Sequence, residues 1–164
     1  MNKQDEIKTD MEKMAKNAKR LLMRDGRLTP VIMFFRKGDP VGGSPLIFDS
    51  EDGKETSMLI VGQIVHFMRV DRVILIYDAI MREERSSLKT GEVKKVVKRE
   101  AINVAAKSND GYLAMMSIPY LRNPDGEIVF SDPIRIDNTG KGDIEIPILD
   151  AVFPIPDPAN GSIH

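Results

Sequence analysis

The sequence contains no cysteine, and aromatic residues make up only 5% of it. The first absence excludes disulfides, Cys-ligated zinc, iron–sulfur clusters and thiol nucleophiles. The scarcity of aromatic rings leaves few stacking platforms for single-stranded nucleic acid. Histidine occurs twice, as His66 and His164, without the i,i+4 spacing that sets two imidazoles on one metal. Zinc-hydrolase motifs and the Gly-x-Ser-x-Gly nucleophile elbow are missing as well. No uncharged run reaches the ~18 residues that could cross a bilayer, and the charged start MNKQDEIKTDMEKMAK lacks the apolar core of a secretory signal. These absences predict a cytoplasmic protein with no metal, no other cofactor and no membrane contact.

What is present is the composition of a soluble globular chain, 41% hydrophobic and 30% charged over 164 residues. That length suits one domain, expected over 1–150, followed by an extended Pro-rich tail over 151–164. The formal net charge is -1, which gives the whole molecule no bias toward polyanions. The charge is unevenly spread, however. Arg82 to Arg99 holds seven basic residues and three acidic ones, whereas from Leu121 onward three basic residues face eight acidic ones.

Apolar periodicity predicts a helix from about Gln4 to Arg24, capped by Gly26, with Ile7, Met11, Met14, Ala15, Ala18, Leu21 and Leu22 on one face. VIMFFR (31–36) and Pro45 to Phe48 read as a hairpin, with KGDPVGGS (37–44) as its glycine-rich tip. That loop is followed by a proline and a strand, so it lacks the helix N-terminus a phosphate loop needs. Asp52 and Glu55 form a candidate capping box for a second helix, Gly53 to Arg69. Its wheel places Met58, Ile60, Val61, Ile64, Val65, Phe67 and Met68 toward the core and leaves His66 outside. A central strand then spans Val73 to Arg82, and Glu83 to Val93 reads as a flexible loop. An antiparallel meander with turns at Asp110-Gly111 and Asp125-Gly126 follows. Pro119 inside it points to an edge or a bulge, and short strands are expected at 134–136 and 144–148.

The fold class predicted is therefore α+β: an antiparallel sheet of about five to seven strands, hairpin plus meander, with two helices packed on it. This element order is similar to that of profilin-like and roadblock-like modules, and its first half resembles deubiquitinase-type MPN domains. The His-x-His metal motif of the latter is missing here, so the resemblance implies no activity.

Three sets of residues are candidates for function. Asp78 shares a strand face with Ile74, Ile76 and Ile80, where a carboxylate needs a partner. Arg99 or Arg82 can supply one; if the chain returns beside that strand, Arg99 and Glu100 join Asp78 in a cluster, either as a structural salt bridge or as the acid/base site of a small hydrolase or transferase. Lys94, Lys95 and Lys98 lie in the basic run, where a solvated charged loop is the plainer reading and nucleic-acid binding through 82–99 the sharper one. Phe153 and Ile155 lie in the tail, whose apolar residues must dock on their own domain, on a second copy or on a protein partner. The reading favoured by the absent catalytic motifs is a non-enzymatic protein–protein interaction or oligomerisation module.

Overall fold

The computed structural model describes residues 2–47, 49–86, 94–139, 146–150 and 152–153, with the backbone alone for 81–86, 94–98 and 147. It is an α+β fold of two helices and a seven-stranded antiparallel sheet. The first helix, α1, spans Lys3–Asp25. The Asn2 side chain caps it by accepting from the Asp5 amide at 2.8 Å. It stops at Gly26, whose φ of 76° is left-handed and whose N–H donates to the Leu22 carbonyl at 2.8 Å. Ile7, Met11, Ala15, Ala18 and Leu22 recur on one stripe, and all five are buried.

Strands β1 (Val31–Arg36) and β2 (Asp39–Pro45) form the first hairpin, and its tip is not the expected long loop. Lys37 and Gly38, at φ 51° and 85°, make a two-residue turn with both residues left-handed, the geometry that matches strand twist. DPVGGSP is consequently a strand, whose prolines are tolerated because β2 is an edge paired only with β1. Phe34 pairs with Gly42 and Phe35 with Pro40, so Val41 is the extra residue of a bulge.

Helix α2 spans Glu51–Phe67 and is capped by Ser50, which accepts from the Gly53 amide at 3.0 Å, rather than by Asp52. Strand β3 follows over Arg72–Ser86, then β4 (Lys94–Ser108), β5 (Leu113–Arg122), β6 (Ile128–Phe130) and β7 (Ile134–Asp137). The sheet order is β2-β1-β3-β4-β5-β6, with β7 also on β5. The segment Glu83 to Ser86, expected as loop, continues β3 and pairs with Lys94 to Val97; the rest of that expected loop lies outside the described residues. Both predicted turns form, with left-handed Gly111 and Gly126. Pro119 is not in a bulge but at a local edge, paired with β4 alone. The outer side of β5 pairs with β7 over 114–117 and with β6 over 120–122, and Pro119 falls in the gap, where its missing N–H leaves no ladder bond unmade. Of the strand expected at 144–148, the described part is a 3-10 turn at Pro147–Leu149.

The sheet is covered on both faces. One core layer joins α1 to Phe35, Ile74, Ile102, Val104, Met116, Ile118 and Tyr120. The other joins α2 to Ile32, Phe34, Val73, Leu75 and Ala105 and takes in Ile146, Leu149 and Val152 from the C-terminal segment. Val73, Ile74 and Leu75 are each 0% exposed, as a central strand covered on both faces requires. Among the described residues no helix is long and apolar enough to cross a membrane.

Candidate functional site

Asp78 lies opposite Ile102 on β4, while Glu100 pairs with Ile80 on one side and with Tyr120 on the other. Since every second residue of a strand faces the same way, Asp78, Glu100, Tyr120 and Arg122 share the α1 face of the sheet. Asp78 and Glu100 are thus brought together, but Arg99 is not. It pairs with Met81, one residue out of phase, on the opposite face with Ala101 and Asn103. The cation of the cluster is Arg122, whose Nε donates to Glu100 Oε2 at 2.8 Å. The sequence carries one signal for it: the alternation Ile118, Tyr120, Arg122 along β5.

Burial pushes the Asp78 carboxyl above the usual aspartate range, and the neighbouring Glu100 charge adds to the shift while Arg122 opposes it. The Tyr120 hydroxyl is buried without completing a hydrogen bond, with the Arg122 guanidinium 5.6 Å from its ring centre. Its pKa is raised by burial and then by Glu100 and Asp78. The arrangement can hold a proton at Asp78. Among the described residues Asp78 lines none of three cavities on this face, one of which, of about 480 Å³, lies between α1 and Met116, Ile118 and Pro133. A cavity of about 330 Å³ lies between α1 and β7, with the Glu12–Arg135 ion pair of 2.6 Å on its wall. Another of about 320 Å³ lies between α1 and β1.

The other face carries a different kind of surface. Only Met58, Val61 and Val65 of α2 are buried. Ile60, Phe67 and Met68, expected in the core, are exposed, because a helix lying across a sheet covers a narrower stripe than half its circumference. Leu59 is 65%, Ile60 52% and Phe67 84% exposed. At 100° per residue these three, with Thr56 and Gln63, occupy an arc of roughly 100° pointing away from the sheet. Ile47, 62% exposed, lies against the first turn of α2, where its amide meets the Ser57 hydroxyl. His66 is exposed on this side and meets the Phe67 ring edge-on, with ring centres 6.1 Å apart.

The C-terminal segment reaches the same region. Leu149 and Val152, both 0% exposed, pack against its own domain, and Lys107 Nζ donates to the Leu149 carbonyl at 3.2 Å. Half-buried Phe153 then lines a cavity of about 640 Å³ together with Leu59, His66, Phe67 and Asn109. Ile155, its expected companion, lies outside the described residues. Lys94, Lys95 and Lys98 pair with Ser86, Arg85 and Arg82 at the far end of the β3–β4 hairpin, distant in register from α2. Among the described residues no three histidine or carboxylate side chains are grouped to hold a metal ion. No family model, curated protein or solved structure matches the chain.

Proposed function

We propose that the chain is a non-enzymatic interaction module that works by self-association, two copies meeting through the outer faces of their α2 helices. The observation that carries this reading is the trio Leu59, Ile60 and Phe67, held in water on a helix whose opposite side is already seated on the sheet. Large apolar side chains grouped on one surface mark a site of contact.

Charge selects the occupant. The first turns of α2 carry exposed Glu51, Asp52 and Glu55, and its end carries exposed His66 and Arg69. Two such helices laid antiparallel set acidic end against basic end twice and oppose their dipoles favourably. About an axis through Gln63, Leu59 of one copy then faces Phe67 of the other, which is the self-complementary pattern of a two-fold interface. The carboxylate cluster around Asp78 supports an enzymatic reading less well, because Glu100 is engaged by Arg122 and Arg99 lies across the sheet.

A contact built on one helix per copy falls at the small end of stable interfaces, so association in the micromolar range is expected. Light scattering from about 1 to 200 μM should show a concentration-dependent dimer, and the double variant Leu59→Glu/Phe67→Glu should stay monomeric with its fold intact. A wild type monomeric throughout, or a variant that still dimerises, overturns the proposal. A chain stopped after Phe153 that dimerises where the full chain does not would make the tail, and not a second copy, the occupant of α2.

A further inference from the structure

We infer that the outer half of the β3–β4 hairpin is an arm that binds double-stranded nucleic acid through its phosphates. The inference is independent of the α2 surface. β1 pairs with β3 only as far as Ile76, and β5 pairs with β4 only as far as Glu100. Six register pairs, Met81/Arg99 to Ser86/Lys94, therefore continue as a two-stranded ribbon past the pairing with both neighbouring strands, β5 itself ending two residues on at Arg122. At ~3.3 Å per residue the ribbon reaches about 20 Å. Such a ribbon is marginal in water on its own.

Its sequence adds to the instability instead of relieving it. Arg82 is directly opposite Lys98, and Arg85 is directly opposite Lys95. Like charges in cross-strand register destabilise a pair of strands. An anion between or beside them reverses the sign of that contribution. Alternation puts Arg82, Lys94 and Lys98 with Glu84 on one face, and Arg85, Lys95 and Arg99 with Glu83 on the other. Each face carries three basic residues and one acidic residue, so the arm bears +4. The whole chain bears -1, which leaves -5 on the remainder. The net charge of the arm therefore favours a polyanion and that of the remainder does not, the other basic run being Lys13 to Arg24 of α1.

The class of polyanion follows from the other residues of the ribbon. No aromatic residue lies in 81–86 or 94–99, so single strands find no stacking platform. A two-stranded ribbon fits the major groove of a duplex, about 12 Å wide, and this one carries basic residues at register positions of both faces. Engagement of four to six phosphates implies a slope of log K against log salt of about -4 to -5.

The test is fluorescence anisotropy with a 30-bp duplex of arbitrary sequence, the matching single strand and poly-glutamate, each at 50 and 200 mM salt. The full chain should bind the duplex and lose about 10²–10³-fold in affinity across that range. The variant Arg82→Gln/Arg85→Gln/Lys95→Gln/Lys98→Gln should lose binding at least about tenfold with unchanged circular dichroism, while Lys95→Arg/Lys98→Arg should retain it. No binding at 50 mM salt, or binding untouched by the four-fold variant, overturns the inference. So does equally tight binding of the single strand or of poly-glutamate, which would make the arm a docking element for acidic proteins or any polyanion.

Discussion

The two helices of this protein solve the same problem unequally. α1 buries five residues on one stripe and turns a charged face to water. It is also tied down through charge: Arg72, 3% exposed at its side chain, stacks on Phe35 and donates to Asp10 of α1 at 2.6 Å. α2 buries three residues and presents apolar side chains on both sides. The difference teaches that a helix with a single apolar stripe identifies its own place, whereas one with apolar residues on two sides keeps a face that no other described element buries.

Breaking the anchoring of α1 should have the largest effects. Asp10→Ala leaves the Arg72 guanidinium buried without its counter-ion, a loss of about 3–5 kcal/mol in urea unfolding; Arg72→Met, which removes both charge and demand, should cost clearly less. Leu22→Ala, at a fully buried position, should cost about 2–5 kcal/mol. Gly26→Ala meets no neighbouring atom, so its cost of about 1–2 kcal/mol comes from the left-handed backbone alone. On the other side, Phe67→Ser should change the stability of the monomer by less than about 0.5 kcal/mol while lowering the dimer fraction. A result in which Phe67→Ser destabilises the monomer as much as Leu22→Ala would erase the contrast between the helices.

The carboxylate cluster sharpens the comparison through pH. The Asp78 pKa is raised in the folded state, so the folded protein binds the proton more tightly than the unfolded chain. Stability from this group is then greatest at low pH and is lost as pH rises from the ordinary aspartate range through the raised value. Asp78→Asn should flatten that fall, raising the melting temperature at pH 7 relative to wild type more than at pH 4. Equal shifts at both pH values would show that Asp78 ionises as an ordinary surface carboxylate.

Much of the architecture was legible because the chain states it locally. The period of α1, the Asp-Gly turns and the continuous run VILIY each name an element without reference to any other. What stayed hidden depends on partners. Arg99 was placed beside Asp78 by its position next to Glu100, but adjacent residues of a strand face opposite ways, and the register that assigns Arg122 instead runs through a third strand. The outward face of α2 was hidden for the same reason, since a wheel shows which residues are apolar and not how wide a stripe the sheet can cover. The hairpin tip was misplaced because Lys37 is not a usual left-handed residue. Its amide is held at 2.8 Å by the Asp71 carboxylate, a contact 34 positions away.

The borders of the sheet carry a consequence for the kind of assembly this chain can join. On one side β2 is interrupted by Pro40, the bulge at Val41 and Pro45; on the other, β6 and β7 divide the flank of β5 into two short lengths parted at Pro119. A strand from another molecule finds no long straight ladder to extend at β2 or along the outer side of β5; the longer unpaired edges among the described residues lie on the β3–β4 ribbon, beyond Ile76 and Glu100. Growth by strand addition, which propagates without limit, is therefore discouraged at those two borders. A contact through α2 uses each copy's surface once and closes after two copies. The prolines thus act at the two borders of the sheet against open-ended growth, a property separate from the stability of the fold and readable in solubility at high concentration.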